Sequence, residues 1–380
     1  MIDVDAATIE TVRRIHLTPD AGVLRAIGLN HGFESAIADL VDNSIDATAR
    51  KILVRFVLQA GLAVRLLVVD DGDGMDETGI DEAMRLGLPK AESTASLGHF
   101  GVGLKSASFS QASTLTVLSR RVRCVPEGRR MHRDNPTADF EVDVLDSEAV
   151  GERLQQMQGL LGSGDTGTAV QWDDCRTFPA SRDPAVTTAF IENKVAELRH
   201  HLGLVFHRLL EAGVVTITVD VYDADEQQAG LGFAVDPIDP FGYNRTGRSD
   251  YSKKLLARPD SGDVELDCHI WPGGSDSPQF RLHGRPVESF QGFYLYRNQR
   301  LLMTGGWGGV TQEKKSLKLA RVAIDIEKHL DVFTMSMEKS GVQLVAGLVH
   351  AIERAAAKDG TTFRALLLVP WVDSRGLTAG

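Results

Sequence analysis

Residues 32–108 constrain the fold of this chain most strongly, because they hold three separate motifs rich in glycine and carboxylate. The first is GFESAIADLVDNSIDA at residues 32–47, and the second is VVDDGDGM at residues 68–75. The third is LGHFGVGLKSAS at residues 97–108. Their residue types suit one shared ligand site, so the stretch predicts a single folded unit that brings the three motifs together.

The first motif predicts an amphipathic helix with a polar face. Asp39, Asn43 and Asp46 are spaced at i, i+4 and i+7, and therefore share one side of a helix. Ile37 and Leu40 help to form an apolar side that suits packing on a sheet. An amide between carboxylates suits a hard cation such as Mg²⁺. An ordinary helix with a solvated acidic face is the alternative, and the spacing alone does not separate the two.

The second motif follows a strongly apolar run at residues 62–69, which predicts a buried strand. Asp70 stands at the end of that strand, where a carboxylate could accept a hydrogen bond from an exocyclic amine. Gly72 and Gly74 permit positive φ and a close approach of the backbone to a flat ligand. A plain Asp/Gly turn after a strand is the alternative.

The third motif departs from a P-loop, because Leu104 separates Gly103 from Lys105 where GK[ST] is required. It also lacks the strand placement of a dinucleotide fingerprint. Phosphate binding remains open to it, since Gly101 and Gly103 expose backbone N–H groups and a helix from Leu104 would present its N-terminus to an anion. Lys105 would add a positive charge. A glycine-rich loop without a ligand is the alternative.

In this order the motifs resemble the GHKL ATPase superfamily, whose members include Hsp90, MutL, the type II topoisomerase ATPase subunits, histidine kinases and MORC proteins. The matching segments are DLVDNSIDA from Asp39, DDGDG from Asp70, GHFGVGLKS from Gly98, and Gly167 with Thr168 before a strand. The resemblance is strongest to prokaryotic MORC-like ATPases, because GLKS and GFYLYRNQRLL at residues 292–302 both look like MORC segments. The superfamily likeness covers about the first half of the chain, and the MORC likeness extends more thinly into the second.

The resemblance implies a role for each motif in an ATP site. Asn43 would coordinate Mg²⁺, Asp70 would bind the adenine amine, and Thr168 would support the adenine through its hydroxyl. The whole set implied to bind the cofactor is Asn43, Asp46, Asp70, Gly72, Gly74, Met75, Gly98, His99, Phe100, Gly101, Val102, Gly103, Leu104, Lys105 and Thr168.

The position of the general base departs from the family pattern. Most of these ATPases carry a glutamate four residues before the asparagine, whereas this chain has Asp39. Aspartate is one methylene shorter, so the attacking water would need a different position. The resemblance therefore implies ATP binding more directly than turnover, and slow hydrolysis, with ATP acting as a clamp, is the expectation.

Pattern and resemblance together predict two α/β domains. Residues 1–178 are expected to form an α/β two-layer sandwich, the Bergerat-type ATP-binding fold. Residues 179–380 are expected to form a transducer-like (ribosomal S5-like) α/β domain. Further expectations are a hairpin of strands 52–58 and 63–70, a strand at 140–145, helices at 186–212 and 343–357, and strands at 214–222, 264–271, 292–303 and 321–326.

Three mobile or bridging features are also predicted. In transducer domains of the superfamily a lysine reaches the γ-phosphate, and the resemblance assigns this catalytic role to Lys339, with a surface lysine as the alternative. Residues 76–98 include a small, polar, proline-interrupted stretch, which predicts a lid that orders on ATP or a loop without a ligand. Residues 1–30 are expected to include a strap toward a partner subunit.

Composition narrows the functional classes. The 380 residues, 43% hydrophobic and 24% charged, suit a globular protein of two domains. A net charge of -11 excludes a uniformly basic nucleic-acid surface, while the basic run at 120–133 predicts either a local patch or a solvated hairpin tip. Three scattered cysteines fit a reducing compartment. No apolar run has the length of a membrane span, so a cytoplasmic protein is expected.

The leading expectation is an ATP-dependent clamp that forms a homodimer when nucleotide binds. MORC-like action on DNA or in prokaryotic defence, with an effector on a separate subunit, is the biological extension of that hypothesis. An Hsp90-like chaperone is the alternative, although the chain shows no charged linker or large middle domain. A histidine kinase would need a phosphoacceptor helix pair, for which the residues before the first motif are too few.

Overall fold

The computed structural model describes residues 31–85, 103–133, 141–162, 164–181, 183–260, 262–282, 286–327, 329–335 and 342–367. The predicted strap in residues 1–30, most of the predicted lid, and Lys339 lie outside these residues. So do Gly98, His99, Phe100, Gly101 and Val102 of the third motif.

Helices and strands occupy most of the described chain. The helices are α1 (Phe33–Asp46), α2 (Glu77–Met84), α3 (Gly103–Gln111), α4 (Ser147–Gly159), α5 (Pro184–Val205), α6 (His207–Glu211), α7 (Ala346–Glu353) and α8 (Phe363–Leu367). The strands are β1 (Lys51–Gln59), β2 (Leu62–Asp70), β3 (Ala112–Arg120), β4 (Glu127–His132), β5 (Asp143–Val144), β6 (Gly167–Cys175), β7 (Thr216–Asp223), β8 (Gln228–Ala229), β9 (Phe233–Ala234), β10 (Lys253–Ala257), β11 (Val264–Ile270), β12 (Gly292–Arg297), β13 (Arg300–Thr304), β14 (Ala320–Asp325), β15 (Phe333–Met335) and β16 (Val342–Leu344).

The first sheet has the strand order β5-β4-β3-β6-β2-β1-β7-β8, and β9 also pairs with β7. The predicted hairpin of β1 and β2 is confirmed, with antiparallel pairing around Ala60 and Gly61, both at positive φ. By contrast, β7 runs parallel to β1. The strand expected at 140–145 is much shorter than predicted, since within the described residues only Asp143–Val144 pairs, with β4.

Alternation along the central strands directs apolar side chains to both faces of the first sheet. Ile52, Val54 and Phe56 of β1 join a core covered by α1, α3 and α5. Leu53 and Val57 join a smaller core under α4. The α/β sandwich that was predicted is therefore present, and α4 adds cover on the second face.

Residues beyond 178 also belong to this unit. Helix α5 and strand β7 contribute Ile191, Leu198 and Ile217 to the same core as α1. The predicted division at residue 178 therefore does not coincide with the division between the two sheets, which lies between β9 and β10. The apolar face of α5 explains this, because it covers the first sheet before the chain leaves it.

The second sheet has the order β10-β11-β14-β12-β13, with β12 and β14 parallel. Helices α7 and α8 cover its core, and the predicted closing helix is shorter than expected because β16 precedes it. A separate apolar cluster, which includes Leu204 of α5 with Tyr294, Tyr296 and Leu301, joins the two units. The second sheet is thus packed on the end of α5, beside α1.

A buried ion pair between β1 and β7 provides a test of whether β7 is an integral strand of the first sheet. Arg55 of β1 contacts Asp220 of β7 through two hydrogen bonds of 2.8 and 2.5 Å, and both side chains are buried. Asp220→Ala would leave the guanidinium buried without that carboxylate, so we expect the free energy of unfolding to fall by about 3–5 kcal/mol. Urea unfolding at neutral pH measures the change.

The matched control lies on the same sheet. Arg65 and Asp173 form a pair of 2.6 Å whose side chains are 31% and 22% exposed. Water screens this pair, so Asp173→Ala is expected to cost only about 0–1 kcal/mol. Equal losses in the two variants would contradict an integral β7.

Candidate functional site

Asp70, at the end of β2, is held by donors from three parts of the first unit. Its Oδ2 accepts a hydrogen bond of 2.8 Å from the Ser44 hydroxyl of α1. Its Oδ1 accepts backbone hydrogen bonds from Gly72 at 3.0 Å and Thr168 at 3.1 Å. Burial disfavours the ionised carboxylate more strongly than these donors favour it, and it raises the pKa of Asp70 to about 6.

The two glycines after Asp70 are required by contacts within the protein. A Cβ at Gly74, which has φ of 67°, would overlap the backbone carbonyl of Arg120. A Cβ at Gly72 would lie 2.6 Å from the carbonyl oxygen of Ala47. The motif therefore brings α1, β3 and the turn after β2 together through backbone contacts, while a close approach to a flat ligand stays a prediction.

Ser119 of β3 connects the other side of this turn. Its hydroxyl lies 2.8 Å from the Thr168 hydroxyl and donates to the Gly167 carbonyl at 3.1 Å. It also accepts a 2.8 Å hydrogen bond from the Met75 backbone. Thr168 is thus placed beside Asp70, as the sequence predicts, but its hydroxyl contacts Ser119 and its backbone N–H supports the carboxylate. Neither Ser119 nor Ser44 is among the site residues predicted from the sequence.

The polar face of α1 is less exposed to solvent than the polar face of an ordinary amphipathic surface helix. Asp39 is 4% exposed and Asp42 is 0% exposed, whereas Asn43 is exposed and Asp46 is partly buried. The three predicted residues do lie along one side of the helix. Charged groups are rarely buried unless they are paired. The groups that surround Asp39 and Asp42 must therefore include a cation or hydrogen-bond donors.

Arg300, the first residue of β13, provides that cation. Its Nη2 lies 3.3 Å from Asp39 Oδ1, and its Nε lies 2.8 Å from Asp42 Oδ2. The second contact is an ion pair whose N–H is not aimed along a hydrogen bond. His31 approaches Asp39 from the other side, with Nε2 3.6 Å from Oδ2. The carboxylate predicted as the general base therefore lies between a residue of the second sheet and the start of α1.

A tight turn fixes the position of Arg300. Arg297 and Arg300 are cross-strand partners, and the two residues between them, Asn298 and Gln299, both have positive φ. The backbone N–H of Asn298 donates a 2.7 Å hydrogen bond to Glu327. Burial lowers the pKa of Arg297, and the nearby Asp46, Glu327 and Asp42 carboxylates oppose that change. The turn thus presents two buried arginines to the acidic side of α1.

These arginines belong to the GFYLYRNQRLL segment, on which the resemblance to MORC proteins partly rests. No role is predicted for them from the sequence. The signal that could have found them is the turn itself. Two arginines that flank an Asn-Gln pair in a predicted hairpin become cross-strand neighbours, and α1 offers an acidic face to such a pair.

Lys105 has a structural contact in addition to its predicted role. It lies in the first turns of α3, is 1% exposed, and donates from Nζ to the carbonyl of Ala83 at 2.8 Å. Ala83 is near the end of α2, so Lys105 joins the helix after the second motif to the helix of the third. Gly103 and Leu104 are partly buried in the same helix. Phosphate binding by these three residues stays a prediction.

The basic run at 120–133 is neutralised in part by neighbouring carboxylates. Arg121 pairs with Asp76 at 3.0 Å, and the buried Arg129 pairs with Asp81 at 2.7 Å and with Glu127 at 2.9 Å. Arg129 thereby ties β4 to α2. These contacts favour the hairpin interpretation of the run over a nucleic-acid patch.

The described residues hold no group of three or more His, Cys, Asp and Glu side chains that could bind a metal ion. The donor chemistry of the site still fits Mg²⁺, which often takes one or two protein oxygens and completes its shell with water and substrate phosphates. The exposed amide of Asn43 offers such an oxygen beside the acidic end of α1. In the part of the chain that the structure describes, no helix has the length and apolar character to cross a membrane.

Comparison with known proteins agrees with this arrangement. Residues 31–149 match the family described as "Histidine kinase-, DNA gyrase B-, and HSP90-like ATPase". ATPase morc-1 of Caenorhabditis elegans is 28% identical over a gapped alignment of 399 residues, which covers 81% of this chain and 46% of that protein. Protein MICRORCHIDIA 2 and Protein MICRORCHIDIA 1 of Arabidopsis thaliana are 35% and 33% identical over 94 and 93 residues.

Those two matches each cover 23% of this chain, and 15% and 14% of the plant proteins. The chain therefore spans less than half the length of each of these relatives. The matched family segment contains α1, Asp70 and the glycines after it, which are the parts that the geometry brings together.

The raised pKa of Asp70 gives a stability prediction. Its folded-state pKa of about 6 lies above the usual 3.8, so its contribution to stability is fully present below pH 3.8 and is lost as the pH rises through 6. Relative to Asp70→Asn, which does not titrate, the wild type should lose about 2.4 kcal/mol of unfolding free energy between pH 4 and pH 7.5. Urea unfolding of both proteins at each pH measures this. A stability difference independent of pH would contradict the assignment.

Proposed function

Because residues 31–149 match an ATPase family and the chain is similar to MORC proteins, we propose that it binds Mg·ATP beside Asp70 and α1 and hydrolyses it slowly. In this proposal nucleotide binding closes two copies of the chain into a clamp. The single observation that supports it most is the buried Asp70 carboxylate, held at a fixed position within the segment that matches the ATPase family.

The chemistry of Asp70 suits recognition of adenine. An ionised carboxylate has about four acceptor sites, and three donors already bind this one. One acceptor site is left for the exocyclic amine of a base. The existing donors are neutral, and they come from α1, from β6 and from the turn after β2. They therefore orient the carboxylate before a ligand arrives. An amine would be favoured there over a carbonyl, which cannot donate.

Asn43 is the proposed protein ligand of Mg²⁺, with Asp46 one turn further along α1. When bound, the metal would neutralise the phosphate charges and polarise the γ-phosphoryl group. The residues of the third motif and Lys339 are proposed to contact the phosphates, by resemblance. Lys105 would add its charge from the first turns of α3.

Asp39 is the proposed general base. Its carboxylate would accept a proton from the attacking water while Asn43 and the metal hold the triphosphate. Burial between Arg300 and His31 keeps its position fixed. The shorter side chain limits its reach, which is the reason that slow turnover is proposed.

The clamp, action on DNA, a role in prokaryotic defence and a separate effector subunit rest on the resemblance to MORC proteins. The relative that covers 81% of the chain is named as a MORC ATPase, so the Hsp90-like alternative is not carried forward. Size in solution, measured with and without a non-hydrolysable ATP analogue, tests the clamp. A mass that does not change, together with no nucleotide binding at millimolar concentration, would remove the proposal.

Asn43→Ala is expected to abolish binding of Mg·ATP, since it removes the amide oxygen proposed to coordinate the metal. Calorimetric titration with the analogue and Mg²⁺ measures the affinity. Asn43 is exposed, so the variant should unfold at the same urea concentration as the wild type. The control is the same titration in EDTA, where wild type and variant should behave alike. An unchanged affinity in Mg²⁺ would contradict the metal assignment.

Asp39→Ala is expected to leave nucleotide affinity largely intact and to lower kcat by about 10²–10⁴-fold, the usual contribution of a general base. The isosteric Asp39→Asn variant keeps the volume beside Arg300 and should lose turnover to the same extent. Phosphate release under saturating ATP measures both. Turnover at the wild-type level in either variant would show that Asp39 is not the base.

A further inference from the structure

We propose that Arg300 is a positioning residue for the Asp39 base, so that turnover depends on the β12–β13 turn being seated against α1. The inference deepens the proposed ATPase function and rests on it. It assigns to the second sheet a role in the chemistry of a site that otherwise lies on the first.

The first supporting observation is the charge balance on α1. Asp39 and Asp42 are one turn apart, both are buried, and one guanidinium contacts both, at 3.3 and 2.8 Å. Two carboxylates this close repel each other, and a cation between them offsets that repulsion. The planar guanidinium also presents its donors in fixed directions, so it orients the carboxylates in a way that a point charge does not.

The second observation is that Arg300 is itself held rigidly. The turn before it is fixed by the hydrogen bond from Asn298 to Glu327, and its guanidinium carbon lies 5.8 Å from the centre of the Phe206 ring. Phe206 stands between α5 and α6, in the core of the first unit. A displacement of the second sheet relative to α1 would therefore move the guanidinium away from Asp39.

The third observation is which oxygen Arg300 engages. It contacts Oδ1 of Asp39, while Oδ2 lies toward His31 at 3.6 Å. In hydrolysis, the water oxygen attacks the γ-phosphorus and the bond to the β,γ-bridging oxygen breaks, with ADP leaving with the electron pair. The proton lost by the water passes to the carboxylate. Because Arg300 contacts one oxygen of this carboxylate, it fixes the orientation of the whole carboxylate group toward the reacting atoms.

The test compares three variants of the full chain. Arg300→Gln removes the charge, and Arg300→Lys keeps the charge without the planar fork. The matched control is Arg258→Gln, which removes an arginine of the second unit away from the β12–β13 turn. Arg258 lies 3.6 Å from Asp263, and the two side chains are 73% and 56% exposed, so its loss leaves the seating of the turn against α1 unchanged. Calorimetry with a non-hydrolysable ATP analogue gives affinity, and phosphate release gives kcat and KM.

The expected pattern is a loss in kcat alone. Arg300→Gln should lower kcat by about tenfold or more while the affinity changes by less than about twofold, as for an interaction that acts only in the transition state. Arg300→Lys should recover part of kcat, and Arg258→Gln should stay within about twofold of the wild type in both quantities. An unchanged or increased kcat in Arg300→Gln overturns the inference, because Arg300 would then be neutral or restraining.

A loss of affinity equal to the loss of kcat also overturns it, since Arg300 would then support the nucleotide pocket as a whole. If Arg300→Gln does not fold, Arg300→Lys decides: reduced kcat with intact affinity supports the inference, and wild-type kcat contradicts it. The wild type is measured first. Failure to bind ATP there contradicts the proposed function itself, whereas binding and turnover that are insensitive to Arg300 contradict only this inference.

Discussion

The burial of the acidic side of α1 is the constraint on which the placement of the two sheets depends. A carboxylate taken out of water raises the free energy of the folded state unless cations or donors accompany it. Asp39 and Asp42 receive one such cation from Arg300, a residue of the second sheet. The second sheet is therefore more than an apolar neighbour of α5. Its β12–β13 hairpin supplies part of the positive charge that allows α1 to be buried, and the turn before Arg300 fixes the direction from which that charge approaches.

The Asp70 carboxylate solves the same physical problem differently. Three neutral donors bind it in place of a cation, and burial still prevails, so its pKa is raised to about 6. The contrast fits the two proposed roles. A carboxylate that recognises an uncharged amine is oriented best by dipoles, which leave an acceptor site open. A carboxylate that takes a proton during hydrolysis needs a fixed position, which Arg300 and His31 give to Asp39.

Local pattern predicted the parts of the fold that local interactions determine. The β1–β2 hairpin, the glycine turn after Asp70 and the strand that starts at Gly167 follow from alternation and turn residues. Contacts between distant residues have no such signal. Asp39 and Arg300 are 261 positions apart, and Arg55 and Asp220 are 165 apart. The helical spacing thus predicts that the acidic residues share one helix face, but it does not predict which of them are buried. It also does not predict that α5 packs on the first sheet or that β7 joins that sheet beyond residue 178.

Asp39, which stands where the resemblance leads us to expect a glutamate, is best considered together with Arg300 of the second sheet. A carboxylate on a shorter side chain stays closer to the helix axis, where it is enclosed by the neighbouring elements and cannot extend toward solvent. At 4% exposure, Asp39 is enclosed in this way, and Arg300 and His31 each approach one of its oxygens. A longer glutamate would depend less on such neighbours for its position. In the proposed function, the position of the Asp39 base therefore depends on the packing of the second sheet against α1 as well as on α1 itself.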